Sequence, residues 1–306
     1  MKKLALLLIL VLALTTVLAS CSGNYDEGVA NPGVDNNDEN TEGTKVKVTY
    51  NHKYEGYTYN IYDDKEIEIT KYDFEYSPEN EAKTADEQVK TVSLVIPNKI
   101  NNIAVTKIAD NAFEKNNVLV SVTIPEGVAE IGNEAFWYSS ALESVVLPAS
   151  LEVLGKRVFN YCSSLKSIEM PANITEIPEA ICEECTSLES VTFKGNVTKI
   201  GKNAFAYCTS LKAVGLGSEL VSIGDGAFKW CSALESVALG AKTETVGASA
   251  FANCGKLSTI SFGQVKEIGE GAFSNCAKDA VATFTGSDKT AVVLGKYNDV
   301  IVEALA

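Results

Sequence analysis

Histidine is almost missing from these 306 residues, with His52 the only one. That scarcity removes most imidazole-based metal sites and acid–base designs. Basic residues are also short: 26 Lys and Arg face 40 Asp and Glu, giving a net charge of -14. So acidic a chain lacks the basic stripe that neutralises a phosphate backbone, and nucleic acid is excluded as a partner. Eight cysteines are too few for a disulfide-dense scaffold of this length. Beyond the first twenty residues no run is long and apolar enough to span a bilayer. Catalytic signatures are missing too: there is no His-Glu-x-x-His, Gly-x-Ser-x-Gly or phosphate-binding loop. The sequence therefore predicts no enzyme activity, no cofactor and no metal. What is present, 46% hydrophobic and 22% charged residues, is the make-up of a folded chain rather than a disordered one.

Lys2 and Lys3 precede an almost wholly apolar run, Leu4 to Leu18, which ends Leu18-Ala19-Ser20-Cys21. The run is long enough for a signal segment and short for a membrane span. It resembles a bacterial lipobox, which implies cleavage after residue 20, lipid attachment at Cys21 and contact with a membrane through that lipid alone. Two or three acyl chains anchor firmly, at about 0.8 kcal/mol per buried methylene. Residues 21–44 are rich in Gly, Asn, Asp, Glu and Thr and read as a flexible acidic tether. Asp35, Asn37 and Glu39 alternate loosely like a calcium loop, but its glycine and closing glutamate are missing.

A 23-residue period organises most of the remaining chain. Phenylalanine recurs at 113, 136, 159, 205, 228, 251 and 273, with Cys182 in the vacant slot. Leucine keeps the same beat from Leu119 to Leu257, followed by Val or Ile three residues on and a second large apolar residue two further. Val and Leu alternating with polar residues is the pattern of a strand with one buried face. One repeat cannot enclose its own apolar side, so copies must stack. Glycine after the second apolar pair, as at Gly132, Gly155 and Gly201, is expected to permit a sharp turn. Adjacent rungs should lie about 4.7–4.9 Å apart along a parallel sheet, offering a surface rather than a cleft.

The segment Leu188 to Cys208 carries the repeat nearly whole: Leu188, Val191, Phe193, Val197, Ile200, Gly201, Ala204, Phe205, Cys208. It resembles the treponemal-type leucine-rich repeat of BspA-like surface proteins, in about seven copies. The resemblance implies an α/β or mostly β solenoid, a right-handed coil of 23-residue rungs capped at both ends. The expected organisation is a signal peptide at 1–20, the tether at 21–44, a tyrosine-rich β cap at 45–97, the solenoid at 98–284 and a C-terminal cap at 285–306.

Three columns of the repeat carry side chains with chemistry of their own. Cys162, Cys185, Cys208, Cys231, Cys254 and Cys276 fall at one repeat position. Their Cβ atoms should sit near the rung spacing of about 4.8 Å, wider than the roughly 3.5–4.5 Å of a disulfide, so they read as buried free thiols. Cys182-x-x-Cys185 mimics a redox or metal motif but has no second ligand pair. Glu143, Lys166, Glu189, Lys212 and Glu235 alternate in sign, which helps fix register. Tyr138, Tyr161, Tyr207 and Trp230, with Trp137 adjacent, form an aromatic column that Glu184 interrupts. Two readings stay open there: rings that seal the outer side of the coil, or a ligand-binding row, since Tyr and Trp are enriched at hot spots. BspA-like proteins are associated with adhesion, so the resemblance implies a protein on the extracellular face of the envelope that binds other proteins; a monomer is expected, and the acidic balance makes any charged partner a basic one. A glycan-capturing module and a purely structural envelope protein are the alternatives.

Overall fold

The computed structural model describes residues 48–73, 91–278, 280–284, 293–294 and 301–304. The expected leader, the tether with Cys21, and most of the closing segment lie outside the described residues. The chain winds into a parallel-strand solenoid of about eight turns with rungs of about 23 residues.

Each rung contributes two strands, not one. The longer follows the leucine, as at Ser167–Met170 and Ser190–Phe193, which pair in parallel with Ile168 beside Val191. The shorter is a two-residue step at the second apolar pair, as at Glu176–Ile177, Lys199–Ile200, Ser222–Ile223 and Thr245–Val246, with Ile177 beside Ile200. Partners stand one repeat apart, because any other register would turn the apolar face outward. The serine column, Ser121 beside Ser144 and Ser167 beside Ser190, pairs in the same register on the long ladder. A third side is stitched without strands. There the phenylalanine N–H donates one rung forward, from Phe136 to the Val158 carbonyl at 2.9 Å and from Phe205 to that of Ala227 at 2.8 Å.

The core is a file of stacked rings. Phe113, Phe136 and Phe159 stack at centroid distances of 4.9 and 5.6 Å. Phe205, Phe228, Phe251 and Phe273 continue at 5.5, 5.2 and 5.2 Å. Offset stacks at this spacing are favourable beyond the area they bury. Cys182, also fully buried, divides the two files.

The N-terminal region is built differently. β1 (Val48–Tyr54), β2 (Tyr57–Tyr62) and β3 (Glu66–Tyr72) form an antiparallel meander. After β4 (Val92–Val95) and β5 (Lys99–Ile100) comes β6 (Ile103–Ile108), which pairs in parallel with β3. The meander thus continues the short-strand ladder, and Tyr72 stacks on Phe113 at 6.2 Å. β4 already pairs with the long strand Leu119–Thr123, so the coil's first long strand lies ahead of residue 98. Glu68, buried at this junction, accepts hydrogen bonds from Asn60 (3.0 Å) and the Tyr62 hydroxyl (2.7 Å) and pairs with Lys107 at 3.3 Å. A buried carboxylate needs that degree of satisfaction. At Lys107 partial burial lowers the pKa, but Glu130 and Glu68 outweigh it and hold the ammonium above its usual range.

The glycine column has a different physical basis from the one expected. Gly132, Gly155, Gly201, Gly224, Gly247 and Gly269 do not adopt positive φ. Each instead lies so near the preceding rung that a Cβ would collide with backbone: at Gly155 it would stand 2.5 Å from the Asn133 nitrogen, and at Gly247 2.5 Å from that of Asp225. Close approach, not turning, demands glycine there. The left-handed positions are taken mostly by other residues, two per rung and four apart, such as Glu134 and Tyr138, Arg157 and Tyr161, Asn203 and Tyr207.

Candidate functional site

The third side of the coil positions every aromatic residue singled out by the repeat. Within each rung the phenylalanine points inward and is fully buried, while the residue two positions on has left-handed backbone and turns outward. Tyr138, Tyr161 and Trp230 are 48%, 41% and 43% exposed; Tyr207 and Trp137 are half-buried. A left-handed non-glycine residue costs roughly 1–2 kcal/mol. Lys115 and Asn253 adopt it at the same repeat position, so the conformation belongs to the rung and is not a mark of function. What it achieves is a backbone ladder: Tyr138 N–H donates to the Asn160 carbonyl, Tyr161 to Glu183, Tyr207 to Lys229 and Trp230 to Ala252, at 2.7–2.9 Å.

The rings come together in two groups. Tyr138 lies 5.8 Å from Trp137 and 5.5 Å from Tyr161 between centroids. Tyr207 and Trp230 lie 6.2 Å apart with planes 10° from parallel. Glu184 separates the groups, with the same left-handed backbone and its N–H on the Ala206 carbonyl. The Phe and Cys columns fill the coil from inside, while these rings lie partly exposed on its outer side. The Trp137 indole N–H donates to the buried Asn160 side chain at 3.0 Å.

Two features of this face were not read from the repeat. Asn160 passes its amide on to Glu183 (3.0 Å), which also accepts from Asn203 (3.3 Å). Burial first, then neighbouring Glu184, holds the Glu183 carboxyl above the usual range, while the Asn160 amide and Arg157 pull the other way. Glu184 is raised by burial. Partial burial, then Glu184 and Glu183, raise the Tyr161 hydroxyl. In addition, the Lys115 ammonium sits 4.9 Å from the centre of the Trp137 ring. Trp137, Asn160 and Glu183 stand 23 apart in one column, a signal present in the sequence but silent about side-chain reach, whereas the Lys115–Trp137 and Asn203–Glu183 contacts cross between columns.

The coil also has a groove where uniform rungs suggested only a surface. An open groove of about 960 Å³ follows the short strands and glycine corner, floored by Leu154, Ile177, Ile200, Ile223 and Val246. It runs along the corner where these glycines pack closely against the preceding rung.

No disulfide joins the cysteines among the described residues. Cys162, Cys185, Cys208, Cys231 and Cys254 are fully buried, whereas Cys276 is only partly so. Each thiol donates to a carbonyl 25 or 26 residues back: Cys162 to Phe136 at 3.2 Å, Cys208 to Cys182 at 3.2 Å, Cys231 to Phe205 at 3.2 Å. Ser139 makes the same bond to Phe113 at 2.9 Å, so the column asks for a small donor. Burial raises the thiols of Cys162, Cys182, Cys208, Cys231 and Cys254, the opposite of an activated thiolate. Among the described residues no group of three or more His, Cys, Asp or Glu is placed to hold a metal. The charge column pairs as its alternation implies, Lys166 with Glu143 and Lys212 with Glu189 at 2.9 Å. Both pairs are solvent-exposed, so water and salt screen them and they help set register more than stability.

A family model described as BspA type leucine rich repeat region matches residues 86–212 and 200–290, in six copies. The chain belongs to this family. BspA-type repeats form a scaffold, and one solved structure shares that fold at a TM-score just above 0.5. A leucine-rich repeat protein from Bacteroides ovatus is 19% identical over 70% of this chain, with a TM-score of 0.51; the chain spans 66% of that protein's length, slightly under two thirds. A leucine rich cell surface protein from Faecalibacterium prausnitzii is 19% identical over 80% of this chain and 96% of its own, with a TM-score of 0.39. At such identity the likeness extends to the fold alone. No curated protein matches the chain.

Proposed function

We propose that this BspA-type chain is a lipid-anchored protein of the extracellular face, held at Cys21, that binds other proteins through the aromatic side of its coil. The observation that carries the reading is the exposure of Tyr138, Tyr161 and Trp230 on one side of the coil. Exposed aromatics that the core does not require mark an interaction surface. A row running along stacked rungs engages a partner by many shallow contacts, as repeat scaffolds do. The leader ending at Cys21 supports the anchor, and an acidic exterior suits solubility beside a membrane.

The test is the combined variant Tyr138→Ala, Tyr161→Ala and Trp230→Ala. Capture of extracellular host or neighbouring-cell proteins should fall at least tenfold while the thermal unfolding midpoint stays nearly unchanged. Loss of the fold would instead assign these rings to packing. Fatty-acid labelling that persists in Cys21→Ser would remove the anchor. Binding confined to a glycan array would favour the glycan-capturing alternative, for which exposed rings also speak.

A further inference from the structure

The aromatic face holds a carboxylate that its surroundings do not match. Several glutamates of the coil meet a base about one rung away, as Glu134 does with Arg157, Glu189 with Lys212, Glu219 with Lys242 and Glu244 with Lys266. Glu184 does not. Its carboxylate accepts no hydrogen bond and forms no ion pair among the described residues, and its only resolved perturbation is loss of water. It stands at the aromatic repeat position, with Tyr161 one rung before and Tyr207 one rung after. The three share φ values of 60, 63 and 61° and the same interrung N–H bonds, so their side chains leave the coil alike. Adjacent Glu183 does not compete for a base, since two amides already hold it. The surface also displays its own use of a cation: Lys115, one rung ahead of Tyr138 in this column, lays its ammonium over Trp137.

We propose that Tyr161, Glu184 and Tyr207 form a seat for a lysine or arginine side chain of a protein partner. The two rings flank the cation and the unpaired carboxylate neutralises it, combining cation–π attraction with a charge-assisted hydrogen bond. The net charge of -14 draws such a partner in from a distance. This inference rests on the aromatic side being the binding face, and it names the chemistry of what that face takes.

The test uses the full chain with Trp137→Phe, which leaves Trp230, 6.2 Å from Tyr207, as the sole tryptophan reporter. An oligolysine peptide is titrated against it, alongside its fully acetylated form. Saturable change in Trp230 emission is expected with oligolysine alone. Glu184→Gln should weaken it roughly threefold to tenfold. Glu235→Gln, which removes the same charge from an exposed site off this column, should leave affinity unchanged. Equal weakening by both variants would reduce the effect to net charge and overturn the seat. So would silence toward oligolysine, equal binding of the acetylated peptide, or a neutral oligosaccharide that binds without regard to Glu184. If Glu184→Gln is inert while the alanine triple variant still loses its captured proteins, the seat falls and the binding face stands. If Glu184→Gln weakens oligolysine while the triple variant keeps its proteins, the seat stands and the broader face falls.

Discussion

Two neighbouring rungs, 165–187 and 188–210, are one repeat apart and yet differ at three columns at once. The second carries Gly201, Phe205 and Tyr207; the first carries Pro178, Cys182 and Glu184 in the corresponding places. The consequences are visible in the ladder. Gly155 and Gly201 donate their N–H to the Ile131 and Ile177 carbonyls, each at 2.8 Å. Pro178 has no N–H to give, and a ring stands where neighbours need bare backbone. The short-strand ladder stops there: Val153–Leu154 ends one sheet and Glu176–Ile177 begins the next. The phenylalanine file stops at the same rung, and so does the aromatic column outside. A solenoid held by nearest-neighbour contacts tolerates one such rung, because each interface contributes separately. The exchange puts the break in the short-strand ladder and the aromatic column's one carboxylate in the same rung.

Three pairs of substitutions sharpen or break this contrast. The largest difference is expected in the core. Phe205→Ala removes a ring stacked on Phe228 and edge-on to Phe193, and should cost about 3–5 kcal/mol in denaturant unfolding. Cys182→Ala, at the same repeat position, should cost only about 1 kcal/mol, the value of a single small group. Equal losses would mean that the 165–187 rung is as fully packed as its neighbour. Next comes the glycine corner. A Cβ at Gly201 would stand 2.7 Å from the Glu179 nitrogen and the Ile177 oxygen, so Gly201→Ala should destabilise by about 1–3 kcal/mol. Pro178→Gly should stay within about 1 kcal/mol of the parent, since a gained hydrogen bond offsets lost chain stiffness. Its new amide should exchange slowly with solvent; rapid exchange would show that the ladder stays open for another reason. The smallest effect concerns φ. Ala180 and Asn203 are both left-handed at 53°, where Gly226 and Gly271 occur in other rungs. Ala180→Gly should gain about 0.5–1 kcal/mol. Asn203→Gly should gain nothing, because asparagine tolerates this region and its amide bond to Glu183 is lost.

Much of the fold was legible before any coordinate. The recurrence of Phe113, Phe136 and Phe159 set the rung length, and the Cys162 column lies buried as expected except at its last member, the half-buried Cys276. The charge alternation from Glu143 to Lys212 appears as ion pairs one rung apart. These succeeded because stacking makes every column a line of neighbours, so a one-dimensional period is already a contact map. The second strand of each rung was harder to see, since two residues such as Lys199 and Ile200 are too few to show alternation. The glycine column was found for one reason and proved necessary for another, because close approach between rungs leaves no trace in local sequence. Which way the aromatic column faced was open for the same cause: Phe136 and Tyr138 are both aromatic and two apart, and only the left-handed turn between rungs sends one inward and one outward.

The sequence by itself determined the period, the core file and the register, because a repeated apolar pattern has one way to bury itself. The tertiary structure decided what the outside offers. Exposure of Tyr138 and Trp230, the furrow along the glycine corner and the unpaired state of Glu184 depend on distances across rungs and on backbone direction. Those are set by the hydrogen-bond ladder between turns, and no single turn contains it.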